Sequence, residues 1–132
     1  MWISPPDSGR NKVKKSEARP EVRVDSGPFD RAHLDRMTQG DRALAHEVLR
    51  LFDSQAEKQL QAMASASSAK ARAEAAHTLK GAARGVGAFA VARTAEEVEA
   101  CAKDEPAFAS SLARLKARVA EARLALPDLL GG

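Results

Sequence analysis

From residue 41 onward the chain repeats one pattern four times: apolar side chains return at steps of three and four, and nowhere do they alternate at two. Steps of three and four line up on one face of a helix, whereas a half-buried strand needs alternation. The first stretch, 41–64, carries Leu44, Val48, Leu51, Phe52, Ala56, Leu60 and Met63, with Asp41 placed to cap its start. After the small, polar break SASS, a second stretch over 69–85 has Ala75, Ala76, Leu79, Ala82, Ala83 and Val86, with Arg72 and Glu74 among its polar positions. A third, 88–103, has Ala88, Val91, Ala92, Ala95, Val98 and Ala102. The fourth opens with Asp104, Glu105 and Pro106, residues suited to a helix start, and carries Phe108, Leu112, Leu115, Val119, Ala122 and Leu126. A shorter segment, FDRAHLDRMT, precedes them with Phe29, Leu34 and Met37 as its apolar positions. Helices that are apolar on one face must bury that face against one another. The expected fold is therefore all-α, an antiparallel up-and-down four-helix bundle with a short additional N-terminal helix, spanning residues 29–130. Either Gly85 or Gly87 can supply the left-handed residue that ends the helix before the tight GVG link.

Residues 1–28 differ in kind. They hold four of the six prolines and no sustained apolar period, and they read as a disordered N-terminal arm. Six Lys/Arg against four Asp/Glu lie in residues 1–27, and fifteen against fourteen in the remainder, so the net charge of +3 is spread thinly. With aromatics at only 4% and no dense basic face, the chain lacks the usual footprint of a nucleic-acid binder. No apolar run approaches the roughly 20 residues that span a bilayer. The N-terminus also lacks the apolar core of a secretory signal, so a soluble, cytoplasmic, monomeric protein is the expectation. One cysteine, Cys101, excludes an internal disulfide, and His33, His46 and His77 show no zinc-ligand spacing.

The segment AHTLKGAARGVGA, residues 76–88, raises a specific question. Gly81 lies in a helix interior, where glycine costs about 1 kcal/mol relative to alanine. Successive residues turn by about 100°, which puts His77 about 160° from Leu79 on one side and Gly81 about 160° on the other. Arg84 and Glu74 fall at about 140°, and Lys80 at about 100°. The face opposite the core thus presents His77, Gly81 and Arg84 in a row with Lys80 at its edge. An exposed glycine fills no packing need but lets another surface come close. If the next helix doubles back near residue 88, His77 and Glu99 each stand eleven residues from the turn, both about 16 Å away at the same level. A carboxylate there can accept Nδ1–H of His77 and leave Nε2 as the nucleophile. Spacing alone leaves open the alternative of a solvated glutamate in the charged run AEEVEA.

Residues 76–100 resemble the signature of the histidine-containing phosphotransfer (Hpt) domain of two-component phosphorelays: His77, Leu79, Lys80, Gly81 and Gly87 fit H-x-L-K-G-x5-G, followed by Val98 and Glu99. The resemblance extends over 28–130. It implies that His77 accepts a phosphoryl group and exchanges it with receiver-domain aspartates. By the same resemblance Lys80 offsets phosphate charge, Gly81 gives the receiver clearance, and Glu99 orients the imidazole. Gly81, Arg84 and Glu74 would then form the partner-binding face. Ala82 stands where many members have Ser, so a hydroxyl contribution is absent. The implied partners are response-regulator receiver domains, a hybrid histidine kinase, or both. The chain itself needs no cofactor on this reading, and Mg2+ is expected in the receiver. With no Walker A loop and no second nucleophile–base pair, it is expected to be a phosphocarrier and not an enzyme with its own ATP site. Two alternatives share the fold: a non-catalytic helical adaptor, and a detached phosphoacceptor domain of a chemotaxis-type kinase.

Overall fold

The computed structural model describes residues 27–131. The arm expected over residues 1–28 lies outside them except for its last two residues. Five helices follow in order: α1, Arg31–Thr38; α2, Arg42–Ser65; α3, Ala69–Val86; α4, Phe89–Ala100; and α5, Glu105–Gly131. Four of their starts are set by side chains that satisfy an otherwise unpaired N–H. Asp30 accepts from the His33 N–H at 3.0 Å, Asp41 from Leu44 at 3.1 Å, Ser68 from Ala71 at 3.1 Å and Asp104 from Ala107 at 3.2 Å.

The α5 stripe is buried at all six expected positions, Phe108 through Leu126. In α2 the core takes a neighbouring row. Leu49 is 1% exposed and joins Phe52, Ala56 and Met63 inside, whereas Leu51 is 58% exposed and Leu44 is also outside. The sequence LRLF offers two overlapping rows of apolar residues. The bundle buries the one that seats Phe52, whose ring meets Phe29 edge-on at 5.7 Å. Met37, expected on the inner face of α1, is also exposed, and Leu34 and Thr38 face inward instead. Thr38 tolerates burial because its hydroxyl donates to the Leu34 carbonyl at 2.8 Å.

α3 and α4 share the most extensive contact in the bundle. Ala76, Ala83, Ala92 and Ala95 are all buried, and such small side chains let helix backbones approach closely. The reversal between them is made by Gly87, which adopts φ +80°, while its N–H bonds to the Arg84 carbonyl at 3.3 Å. α1 sits directly on this turn. The Asp30 N–H donates to the Gly87 carbonyl at 2.9 Å, and a Cβ on Gly87 would lie 3.1 Å from the Asp30 carbonyl oxygen. Gly85, by contrast, is an ordinary helical residue with no heavy atom within 4 Å of where a Cβ would stand, so only one of the two candidate glycines makes the turn. Gly87→Ala is accordingly expected to lower stability by about 1–3 kcal/mol. Gly85→Ala is expected to raise it by about 0.5–1 kcal/mol. Thermal unfolding of the two variants reads the opposite signs.

α4 ends at Ala100, three residues earlier than its apolar pattern suggests, and residues 101–103 form the turn into α5. Arg72 straps this end. Its guanidinium lies 4.3 Å from the centre of the Phe108 ring and donates to the Ala102 carbonyl at 3.2 Å and to Glu105 at 2.8 Å.

Candidate functional site

With Ala76, Leu79 and Ala83 buried, the rotation of α3 about its axis is fixed, and His77 is turned outward with 67% of its side chain exposed. The close α3–α4 hairpin then brings α4 alongside at the level of the ring. His77 Nδ1 lies 3.2 Å from Glu99 Oε2, and the other carboxylate oxygen, Oε1, accepts from Lys80 Nζ at 2.9 Å. One glutamate thus ties together two residues three apart on α3. Of the alternatives left open by spacing, the structure selects the contact over the solvated side chain.

Lys80 differs from the sequence picture. Its side chain is only 13% exposed, and its ammonium faces Glu99 instead of projecting beside the ring. Its stem runs along the bundle surface while its charge finds the carboxylate, the usual arrangement for a long cation at a helix edge. The hydrogen bond from Lys80 is the main cause that holds the Glu99 carboxyl below its usual range, assisted by the charges of Lys80 and His77 and opposed by partial burial. An ionised carboxylate can only accept, so the proton of the contact belongs on Nδ1 and the Nε2 lone pair is left free.

A group whose pKa is depressed on folding stabilises the fold above its unfolded value, and that contribution disappears as pH falls through the folded value. The Glu99 tie is therefore fully present at neutral pH and weakens below about 4.5. In Glu99→Gln the stability difference from the parent should shrink as pH drops through that range. The ring 15N shifts should also move from a single Nδ1–H tautomer toward a mixture. A stability difference independent of pH would show that the carboxylate charge contributes nothing there.

Around the ring is a shallow depression of about 530 Å³, lined by Lys70, Ala73, Glu74, His77, Thr78 and Glu99. Glu74, expected on this face, is part of it. Gly81 lies on the same face, with open space where a side chain would stand. Arg84 is exposed further along, its Nη2 3.8 Å from Glu96, and it does not line the depression. Lys70 was missed by the sequence reading. The signal was available, because seven residues is about 20° short of two full turns and so returns to the face of His77.

Residues 47–125 match the family model of the Hpt domain. The chain belongs to the Hpt domain family. Among solved structures it is similar to the histidine phosphotransferase ShpA from Caulobacter crescentus, with 36% identity over 78% of this chain and 99% of that one, and a TM-score of 0.52. No curated protein matches it. As an Hpt domain it has the histidine-phosphotransfer role in a phosphorelay, which entails interaction with response-regulator receiver domains. The matched segment runs from within α2 into α5 and contains His77, Lys80 and Glu99.

Proposed function

We propose that His77 is the phosphoacceptor and that this Hpt domain relays the phosphoryl group between receiver-domain aspartates. The observation that carries this reading is the geometry of the ring: Nδ1 is held 3.2 Å from Glu99, and the side chain is 67% exposed, which leaves Nε2 without a hydrogen-bond partner among the described residues. In the forward step the Nε2 lone pair attacks phosphorus of a receiver's aspartyl phosphate. The N–P bond forms as the P–O bond breaks, and the aspartate carboxylate leaves with the electron pair. The proton on Nδ1 stays in place, and Glu99 balances the positive charge that the ring acquires. Running the step backwards delivers the group to the next receiver. Phosphoryl transfer of this kind asks mainly for position and charge stabilisation, which the Glu99 hydrogen bond and the exposed setting of the ring supply.

Lys80 acts through Glu99 in this scheme, fixing the carboxylate that fixes the ring. Gly81, with Arg84 and Glu74 to either side, forms the face on which the receiver settles. Mg2+ enters with the receiver, next to the aspartate, and the domain works as a phosphocarrier without an ATP site of its own. Glu99 and Lys80 reach the ring from within one copy of the chain, and this reading takes the domain to act as a monomer. Among the described residues no helix is long and apolar enough to cross a membrane. Exchange with receiver domains supports a cytoplasmic location.

The test is to mix the protein with isotope-labelled phosphorylated receiver domains and Mg2+ and follow the label. Transfer to a form that is labile in acid and stable in alkali supports the reading, since that is the behaviour of a phosphohistidine. Binding of receivers with no label transfer at all would instead make the domain an adaptor.

A further inference from the structure

The charge of the transferred group itself has no partner yet. A phosphoryl group brings roughly −1.5 to −2 at neutral pH by analogy with other phosphorylated side chains. It would arrive in a depression whose charged lining residues are Glu74, Glu99 and Lys70. Lys80 is committed to Glu99 at 2.9 Å and is largely covered. Arg84, spaced symmetrically on the other side of His77, faces Glu96 and stands outside the depression. Lys70 remains. It lies on the face of His77 about 10.5 Å N-terminal along the axis. Helical side chains lean toward the N-terminus, so the imidazole is directed toward Lys70, and the long lysine stem, which starts out leaning the same way, turns back along the helix to bring its ammonium into the depression that both residues line. Between them lie Ala73, whose methyl group puts no bulk in the way, and the exposed Glu74, whose negative charge makes a nearby cation the more needed once a phosphoryl group arrives. Lys70 is exposed and forms no ion pair among the described residues.

We propose that Lys70 is the phosphoryl-binding cation of this site. Its ammonium donates hydrogen bonds to the phosphoryl oxygens once the group is on Nε2, with no proton changing hands, and thereby favours acceptance at His77. This rests on His77 being the phosphoacceptor. It adds that the compensating charge comes from two turns upstream, not from the lysine inside the signature motif.

The experiment uses the full chain and a small phosphodonor, phosphoramidate, so that receiver docking does not enter. Lys70→Glu should slow labelling of His77 by about three- to tenfold at low salt, and most of that difference should vanish near 0.5 M NaCl, as expected for an exposed charge. Lys70→Arg should label at close to the parent rate. In the labelled protein, the 31P signal should titrate at higher pH in Lys70→Glu than in the parent, and Lys116→Glu, the same charge reversal at an exposed position on α5, should leave it in place. Parent-like labelling and an unmoved 31P titration in Lys70→Glu would overturn the role of Lys70 while leaving His77 standing. Label that persists in His77→Gln, or fails to appear in the parent, would overturn the phosphoacceptor reading and this inference with it.

Discussion

His77→Gln should accept no measurable phosphoryl group, a loss of about a thousandfold or more, because it removes the nucleophile and not merely a residue that assists it. Glutamine keeps a polar side chain and has a somewhat better helix propensity than histidine. Its amide nitrogen, however, offers no lone pair for attack on phosphorus. The folded state should barely respond. The side chain is 67% exposed, so its replacement falls in the class of surface changes worth about 0.5 kcal/mol or less. The buried residues of α3 are untouched, and Glu99 retains Lys80 as its partner. His33→Gln and His46→Gln are the informative controls. His33 is the other histidine with a defined contact: its Nε2 lies 3.2 Å from the Gly85 carbonyl oxygen, and its ring packs edge-on against Phe89 at 5.3 Å. Both controls should still be labelled. Label surviving in His77→Gln but lost in His33→Gln would move the phosphoacceptor to α1 and undo the assignment.

What the sequence could and could not convey follows from how each feature is encoded. Helix number, order and the α5 stripe were legible because they depend on local periodicity, and six apolar residues at alternating steps admit one reading. The α2 face was not. Leu44 and Leu51 on one row and Leu49 and Phe52 on the next are equally helical, and only packing against α1 and the rest of the bundle chooses between them. Within the site, the level of Glu99 followed from counting residues on either side of a tight turn, since rise per residue is constant in both helices. The state of Lys80 did not follow. A helical wheel gives the direction of a Cα–Cβ bond, whereas a lysine spans four further bonds and settles where a carboxylate from another helix happens to lie. Glu99 therefore serves two partners where the sequence suggested one. Lys70 was overlooked for a different reason. The motif drew attention to residues 77–81, while Lys70, Ala73 and Glu74, which share a depression with His77, lie N-terminal to it, the direction in which the imidazole leans.

Gly81 carries the second large effect, and its two substitutions should separate folding from function. Gly81→Ala should raise stability by about 0.5–1 kcal/mol, since alanine is the better helix former and nothing lies within 4 Å of the added Cβ. If stability were the criterion, glycine would be the inferior residue here. Its position one turn after His77, on the exposed face, points to what it permits. A receiver must bring its aspartate in line with Nε2, and any side chain standing between the two surfaces holds the reacting atoms apart. A misplacement of about 1 Å can cost about a hundredfold in rate, so Gly81→Leu is expected to slow transfer from a phosphorylated receiver by about ten- to a hundredfold. The same variant should accept phosphate from phosphoramidate at close to the parent rate, because a small donor needs no clearance. That contrast distinguishes obstruction of a docking partner from damage to the imidazole. Transfer from the receiver at the parent rate in Gly81→Leu would mean that the partner approaches from the other side of His77, across the depression bounded by Lys70, Glu74 and Glu99.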